Sequence, residues 1–340
     1  MKYAVLAASI ACATEAPGQA PDLPLYDTAF LSIQAMLEGR ADSDLQHAIF
    51  LVENAYVDGG IDEVAFNEAI SAMTSLAQAW SLSNPLKGYT EDDSVEFAKW
   101  RAAFHVMTDT TFIAPGVPLS LPLAYDTVDY FGIRQWESTF VSQLLATGIG
   151  NCHSLPLLYK LICERMGVEA YLALVPNHMY IKQKSKKHGW FNTDLTSSSF
   201  PDDAWLMATG YVSAASIRSG LYMATLGLNE TLALCLTDLV YGYERKSGIR
   251  SDPFIMRCCD LALRYHPVSV HALILKVNAL SIAIASSESN EPDSLVTEEL
   301  NRTASLLVKL DYREVPLEVY QKWIAELASV KGRFQTPVKR

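Results

Sequence analysis

The sequence contains few charged residues, and most of them are acidic. Under a fifth of the 340 residues are charged, and 27 lysines and arginines against 38 aspartates and glutamates give a net charge of −11. A nucleic-acid-binding protein needs a basic face. Four neighbouring lysines fall between two predicted strands and are interpreted as a solvated hairpin tip: Lys182, Lys184, Lys186 and Lys187. We therefore predict no nucleic-acid partner.

Long apolar runs are also missing. A helix that spans a bilayer needs about 20 consecutive apolar residues, and no segment beyond the N-terminus reaches that length. At the N-terminus, Lys2 precedes an apolar stretch from 3 to 13. Residues 1–20 are therefore predicted to be a signal or lipoprotein segment and tether, with Cys12 acylated in the lipoprotein case. This predicts an exported protein, periplasmic or lipid-anchored, whose membrane contact is limited to that anchor. An Ala-rich start of a cytoplasmic chain is the alternative.

Cysteines are few and irregularly spaced. The six cysteines form neither a disulfide framework nor a metal-type Cys-x-x-Cys pair. Four lie in apolar helical contexts and are predicted to be buried free thiols: Cys163, Cys235, Cys258 and Cys259. A bridge from Cys163 to Cys235 or Cys258 is left open. Zinc binding is not expected, because no common ligand spacing relates Cys152, His153, His178 and His188. We expect no metal and no cofactor.

Hydrophobic periodicity places helical regions on either side of a short mixed segment. Residues 25–125 are predicted to form a helical N-terminal lobe, and residues 213–340 a helical C-terminal lobe with a loosely tetratricopeptide-like pattern. Residues 126–212 contain a helix and strands. The predicted fold class is α+β, mostly helical with a small antiparallel sheet. Residues 112–125, with three prolines, are expected to be irregular. Continuous helices are predicted at Gln135–Leu145, Ala215–Leu226 and Pro316–Lys331.

The mixed segment opens with a Gly-rich turn that leads into a cysteine and an apolar run at helical spacing. Cys152–Met166 is predicted to be a helix that ends at Gly167. Alternating patterns then predict an antiparallel meander of three strands: Glu169–Val175, His178–Gln183 and Gly189–Leu195. If the last two strands pair, His178 and Asp194 point to the same side of the sheet.

Cys152, His178 and Asp194 are the candidate catalytic residues. The unpaired N–H groups and the positive dipole end at a helix start favour a thiolate at Cys152. His178 would exchange a proton with that sulfur, and Asp194 would orient the imidazole. A buried, inert thiol is the alternative for Cys152, but its polar neighbours favour a functional interpretation.

These residues resemble the transglutaminase-like superfamily of papain-fold thiol enzymes. The similarity covers residues 135–200 and rests on Gly150-Asn151-Cys152-His153-Ser154, Pro176-Asn177-His178 and Trp190-Phe191-Asn192-Thr193-Asp194. It implies a papain-like core in which Cys152 is the nucleophile, His178 the general base and acid, and Asp194 the orienting carboxylate. An upstream Gln or Trp commonly helps to bind the oxyanion in this family, and Trp190 would wall a substrate groove. The candidates for oxyanion or substrate binding are Gln143, Gln135, Trp136, Trp190 and Asn151.

Two functions remain in competition. The first is a cysteine-dependent amide or peptide hydrolase that acts on a protein or peptide through a thioester. Transamidation stays open, but it requires water to be excluded, and no sequence feature indicates that. The alternative is a catalytically inactive transglutaminase-like scaffold that binds a protein or peptide partner. His153 and Ser154 depart from the family's pattern after the cysteine, which leaves the reaction open.

Overall fold

The protein is mostly helical with small, mainly antiparallel sheets, which confirms the predicted α+β class. The computed structural model describes residues 23–86, 88, 91–114, 116–287, 293–316, 318–319 and 321. The predicted signal or lipoprotein segment at residues 1–20 lies outside the described residues, as does nearly all of the predicted helix Pro316–Lys331. None of the described helices is long and apolar enough to cross a bilayer.

Helices make up both ends of the described chain, and most strands lie in its middle. The helices are α1 Leu23–Leu37, α2 Leu45–Tyr56, α3 Glu63–Ser83, α4 Glu91–Thr108, α5 Val141–Thr147, α6 Ser154–Arg165, α7 Asp203–Thr209, α8 Ala214–Arg218, α9 Leu228–Ser247, α10 Pro253–Tyr265, α11 Val270–Ala285 and α12 Ser294–Lys309. The strands are β1 Thr111–Ala114, β2 Val117–Ser120, β3 Ala124–Tyr125, β4 Ile149–Gly150, β5 Tyr171–Val175, β6 His178–Ser185, β7 Gly189–Thr193 and β8 Thr225–Leu226.

Side-chain caps explain where the N-terminal helices begin. The Asp44 carboxylate accepts the N–H of His47 at 2.9 Å and starts α2. The Asp62 carboxylate accepts the N–H groups of Val64 and Ala65 at 2.9 and 3.2 Å and starts α3. Each carboxylate satisfies donors that have no partner within the helix.

The main sheet has the strand order β7-β6-β5-β8, and all its pairs are antiparallel. The predicted meander of β5, β6 and β7 is confirmed. The predicted helix Ala215–Leu226 is wrong beyond Arg218, because Thr225 and Leu226 form β8 against Ala173 and Leu172. Pairing with β5 outweighs the local helical pattern there.

Two further predictions fail between α4 and α6. The proline-containing segment is regular in part, since β1 and β2 form a hairpin with bulges in which Pro118 pairs with Phe112. The predicted helix Gln135–Leu145 is broken at Phe140, whose ψ of 139° is extended. A 3₁₀ turn, Trp136–Thr139, precedes the break and α5 follows it. Proline is tolerated in the hairpin because both of its strands lie at a sheet edge.

One hydrophobic core extends through the described chain from Tyr26 to Leu310. Helix α9 packs against α1, α2 and α10, and α6 packs against α3, α4 and α5. Trp100 Nε1 donates to the carbonyl of Glu169 at 2.9 Å, and the Tyr159 hydroxyl donates to the carbonyl of Trp100 at 3.1 Å. These two bonds, one buried and one partly buried, hold α4, α6 and the residues before β5 together. The start of α6 therefore has a fixed position relative to the main sheet.

Candidate functional site

The start of α6 is capped by a buried asparagine. Asn151 Oδ1 accepts the N–H groups of His153 and Ser154 at 2.9 and 3.2 Å, and the Asn151 carbonyl accepts the N–H of Leu155 at 3.1 Å. The hydrogen-bond pattern of the helix thus begins at Asn151, as at an N-cap. Cys152 lies in the first turn by this pattern, as predicted, although the regular helix starts two residues later.

The N–H of Cys152 remains available in this capped turn. Within the described chain, no group accepts a hydrogen bond from it. Asn151 Oδ1 already accepts the N–H groups of His153 and Ser154. The N–H of Cys152 can therefore donate to a ligand. An oxygen that carries negative charge beside the sulfur would be stabilised there.

Gly150 allows the cysteine loop to pack closely on α6. A Cβ at this position would lie 2.6 Å from Ser154 Oγ and 2.9 Å from Leu144 Cδ1, closer than real contacts allow. The Ser154 hydroxyl accepts the N–H of Asn151 at 3.0 Å and donates to the carbonyl of Ser138 at 3.3 Å. The glycine is therefore required by close approach, since its φ is not in the left-handed region.

A tight turn brings His178 to the cysteine. β5 and β6 are joined by Pro176-Asn177, and Asn177 has a φ of +58°, a conformation that asparagine adopts more readily than most residues. The Cys152 thiol contacts this turn, with its Sγ 3.8 Å from the carbonyl oxygen of Asn177. The turn therefore places the Asn177 carbonyl beside the sulfur, and His178 follows directly.

His178 and Asp194 form an ion pair on one face of the main sheet. The register pairs Lys182 with Asn192, which places His178 and Asp194 on the same side. His178 Nε2 lies 3.5 Å from Asp194 Oδ1. Burial opposes the charge on His178, but hydrogen bonds to Asp194 and Cys152 outweigh it and raise its pKa to about 10. The structure thus brings the three candidate catalytic residues together.

The Asp194 carboxylate is held by residues that the sequence did not single out. Burial opposes its charge, but hydrogen bonds from His178, Thr196 and Ser197 lower its pKa to about 2. Thr196 donates its N–H and hydroxyl to Oδ1 at 2.9 and 2.8 Å, and the Ser197 hydroxyl donates to Oδ2 at 2.8 Å. An Asp followed by Thr and Ser at a strand end is a signal for this turn. The carboxylate therefore stays ionised through neutral pH.

Tyr125 also lies at the site, and sequence reasoning missed it. β3 pairs in parallel with β4, which places Tyr125 opposite Gly150, two residues before Cys152. Burial, followed by the negative charges of Cys152 and Asp194, raises the pKa of its phenol. No local pattern predicts this, because the two paired strands are about 25 residues apart in the sequence.

Three polar candidates for oxyanion binding have other positions. The Asn151 oxygen is occupied by the helix cap. Gln135 is exposed at the residue that precedes the 3₁₀ turn, and Gln143 is half-buried on α5. In the described residues, neither glutamine side chain hydrogen-bonds to the cysteine loop. The Cys152 N–H is therefore the better supported donor.

The two tryptophan candidates lie in different places. Trp136 packs under the guanidinium of Arg245, which is 4.4 Å from its ring centroid. Trp190 is 49% exposed and packs against Tyr171, with ring centroids 5.9 Å apart. Four residues along β7 separate Trp190 from Asp194, about 13 Å at the usual strand rise. Trp190 therefore lies toward the far end of that strand.

A second imidazole–carboxylate pair lies behind the cysteine. His153 Nε2 is 3.1 Å from Asp238 Oδ2 on α9, and its Nδ1 is 3.1 Å from the carbonyl oxygen of Thr139. Burial disfavours the charge on His153, but Asp238 and the Thr139 carbonyl outweigh it and raise its pKa to about 9. This pair ties the residue next to Cys152 to the C-terminal helices.

Glu53 of α2 holds the start of α5. Its carboxylate accepts the N–H groups of Val141 and Ser142 at 2.7 and 2.9 Å, and its side chain is buried. These bonds explain the break at Phe140, because a long-range cap replaces a continuous helix. Glu53 also lines a small cavity with His153 and other residues. Burial raises its pKa to about 7, although its hydrogen bonds oppose the shift.

Glu53→Gln is expected to change the pH dependence of stability. Between its ordinary pKa and about 7, folded Glu53 keeps a proton that the unfolded chain has lost, so its contribution falls as pH rises through that window. Glutamine does not titrate. From pH 5 to pH 8 the free energy of unfolding of the wild type should fall relative to the variant by about 2–3 kcal/mol. Urea unfolding at both pH values measures this, and a constant difference would contradict it.

The five cysteines of the described chain are all free. Cys152 is half-exposed, whereas Cys163, Cys235, Cys258 and Cys259 are buried, as predicted. The bridge left open from the sequence is not formed. Burial raises the pKa of each of these four thiols. Reagents in solution therefore meet Cys152 before the buried four.

Comparisons with known proteins do not identify a family for this chain. No protein-family model matches the chain, and no curated protein matches it. One similar solved structure is described as "Crystal structure of menin reveals the binding site for Mixed Lineage Leukemia (MLL) protein". The two chains are 14% identical over 86% of this chain and 76% of that chain, with a TM-score of 0.33. A TM-score of this size does not establish a shared fold.

Proposed function

We propose that the protein is a thiol hydrolase that cleaves amide or peptide bonds through an acyl thioester on Cys152. The observation that carries the proposal is that the sulfur, the imidazole and the carboxylate lie in sequence. Cys152 Sγ is 3.8 Å from the carbonyl of Asn177, the residue before His178, and His178 Nε2 is 3.5 Å from Asp194 Oδ1. Such a set activates a nucleophile by a base that a third group orients. The half-exposure of Cys152 gives a substrate access to the sulfur.

The reaction has two balanced steps. In the proposed resting state the catalytic proton is on His178, within its ion pair with Asp194. The Cys152 sulfur therefore attacks the carbonyl carbon as its anion, and the oxyanion faces the Cys152 N–H. The C–N bond then breaks, and the leaving amine takes the proton from His178, which leaves a thioester. Water then attacks the thioester carbon while the neutral His178 accepts one of its protons, the sulfur leaves as a thiolate, and a carboxylic acid is released, which restores the starting ion pair. Asp194 stabilises the imidazolium throughout.

The central segment is proposed to be a papain-like core of the transglutaminase-like type. The supporting features are a capped helix that presents Cys152, followed by the antiparallel strands that carry His178 and precede Asp194. An exported location with the N-terminal anchor also remains a proposal. An amine in place of water in the second step would make the protein a transamidase.

Labelling with iodoacetamide tests the activated thiol. Exposure alone makes Cys152 faster than the buried cysteines, so the reference must be an exposed cysteine without a neighbouring imidazole. Leu295→Cys in a Cys152→Ala background supplies it, because Leu295 is 73% exposed on α12. At pH 6.5 we expect Cys152 to react at least about 10-fold faster than this reference. Mass spectrometry of the modified peptides gives each rate.

The control is His178→Ala, which should bring the rate at Cys152 to that of the reference or below. Equal, slow labelling of Cys152 and the reference in the wild type would contradict the thiol hydrolase. That result would favour the alternative, a non-catalytic scaffold that binds a protein or peptide.

A further inference from the structure

The strand beside the catalytic cysteine has an open hydrogen-bonding edge. β3 uses the N–H groups of Ala124 and Asp126 toward β4, where they bond to the carbonyls of Gly148 and Gly150, both at 2.7 Å. In this parallel register the N–H and C=O of Tyr125 point the opposite way. Within the described residues, β3 has no strand neighbour other than β4.

Two residues before Tyr125, the same edge is already occupied by a hydrogen bond. The N–H of Leu123 bonds to the carbonyl of Met107 at the end of α4, at 2.8 Å. In the part of the chain that the structure describes, nothing hydrogen-bonds to the backbone of Tyr125 on this side. The opening is therefore short and lies beside the start of α6. An unpaired strand edge is a template for an added strand.

Two segments near this edge carry no charged residue, although Asp126 directly follows Tyr125. No charged residue occurs from Thr110 to Tyr125 or from Leu195 to Pro201, although the whole chain carries −11. Leu121 and Phe200 are 68% and 60% exposed. Leu121 precedes β3, and Phe200 follows Ser199, whose backbone pairs with that of Asp194.

The Phe200 side chain is fixed on the side of α4. Its ring lies 4.8 Å from the ring of Phe104, centroid to centroid. The first segment ends at Tyr125, opposite Gly150, and the second directly follows Asp194, whose backbone pairs with that of Ser199. Both segments therefore reach the catalytic residues. Exposed apolar side chains concentrated at such a place mark a binding surface.

We propose that the substrate is an extended peptide segment with uncharged, apolar side chains, which adds as a strand to the open edge of β3 and bonds to the N–H and C=O of Tyr125. This deepens the proposed function, on which it rests, by naming the class of substrate. Main-chain hydrogen bonds supply affinity in strand addition, and side chains on alternate positions supply specificity. Leu121 and Phe200 receive those side chains.

The phenol of Tyr125 supports this placement. Tyr125 lies opposite Gly150, two residues before Cys152, and both Cys152 and Asp194 act electrostatically on its phenol, so this residue borders the catalytic groups. Because this edge faces away from β4, the proposed peptide runs from the edge toward the start of α6, where one of its carbonyls meets the free N–H of Cys152. The backbone of Tyr125 and the N–H of Cys152 would thus orient one amide of the peptide.

Binding to the Cys152→Ala protein tests the proposal without any turnover. The probe is a fluorescein-labelled ten-residue peptide that alternates Leu or Val with Ser or Gln, followed by anisotropy. We expect saturable binding, and replacement of two apolar residues by Lys or by Asp should each weaken it at least about 10-fold. Binding too weak to detect at millimolar protein, or equal binding of all three peptides, would overturn the substrate class.

N-methylation of the peptide tests the strand geometry. Scanning a methyl group along the backbone should find one amide whose methylation weakens binding about 5- to 10-fold, while its two neighbours tolerate the change, because strand amides alternate in direction. Uniform tolerance along the peptide would overturn strand addition and leave only an apolar contact.

Substitutions in the protein give a matched comparison. Tyr125→Pro removes the unpaired N–H of residue 125 but keeps both hydrogen bonds from β3 to β4. The preceding residue, Ala124, lies in a strand, and extended backbone is the conformation that a residue before proline prefers. It should bind the probe about 5-fold more weakly than Tyr125→Ala, which keeps the N–H. Leu121→Ser should weaken binding, whereas Leu295→Ser, equally exposed but on α12, should not. Equal binding of the probe by the Pro and Ala variants would contradict the assignment of the peptide to this edge. If the Pro variant does not fold, the N-methylation series tests the same assignment.

The two proposals fail separately. Peptide binding by a protein whose Cys152 is labelled slowly would retain the strand site and remove the hydrolase. Rapid labelling without peptide binding would retain the activated thiol and remove the substrate class.

Discussion

Cys152→Ala is expected to abolish acyl transfer while leaving the fold intact. With p-nitrophenyl acetate the wild type should release p-nitrophenol in a burst that approaches one equivalent per protein, because the thioester forms faster than water removes it. The variant should show no burst, and its steady rate should fall by at least about 10³-fold. Cys152 is only half-buried, so loss of its sulfur removes less packing than loss of a buried thiol.

Thermal unfolding provides the control for this variant, whose midpoint should stay within about 2 °C of the wild type. Substitution of a buried thiol, Cys163→Ala on the same helix, gives the opposite pattern. It should lower stability by about 1 kcal/mol and leave the burst in place. A full burst in Cys152→Ala would refute the nucleophile assignment.

His178→Ala and Asp194→Asn should differ in size. Loss of His178 removes the group that moves the proton, and the rate should fall about 10⁴-fold. Asp194→Asn keeps the imidazole and should cost about 10- to 100-fold less than His178→Ala, because the carboxylate acts through orientation and charge. Steady release of p-nitrophenol measures both, and a greater loss in Asp194→Asn would contradict the assigned roles.

The pH profile distinguishes an electrostatic role of Asp194 from a merely structural one. The hydrogen bond and charge of Asp194 help to raise the pKa of His178 to about 10. In Asp194→Asn this pKa should fall, so the upper limb of the rate profile should move to lower pH. The ion pair also stabilises the fold. The contribution of His178 is complete below its ordinary pKa near 6.5 and is lost as pH rises toward 10.

The local elements of the fold were predictable because their causes are local. Asp44 and Asp62 cap helices through N–H groups two or three residues away. Gly167 follows the end of α6 with a φ of +68°, which glycine adopts without strain. α6 was predicted from Cys152 to Met166, and it is helical from Ser154 to Arg165. Periodicity and turn chemistry involve neighbours in the chain, so one sequence contains the necessary information.

The failed elements depended on distant partners. Gln135–Leu145 has a helical pattern, yet Glu53 caps a new helix in its middle. Thr225 and Leu226 pair with β5 although their local pattern is helical. In each case, the decisive hydrogen bonds come from residues about 50 to 90 positions away. Tertiary contacts of this kind outweigh propensities of under about 1 kcal/mol per residue.

The sequence by itself determined which side chains are candidates for chemistry: a thiol at the start of a helix, an imidazole after a tight turn, and a carboxylate at a strand end. Only the tertiary structure decided that Cys152, His178 and Asp194 meet, that Tyr125 lies beside them, and that His153 is tied to Asp238. Hydrogen bonds and ion pairs act over a few ångströms. Packing of the core, and not order in the chain, sets which groups come within that distance.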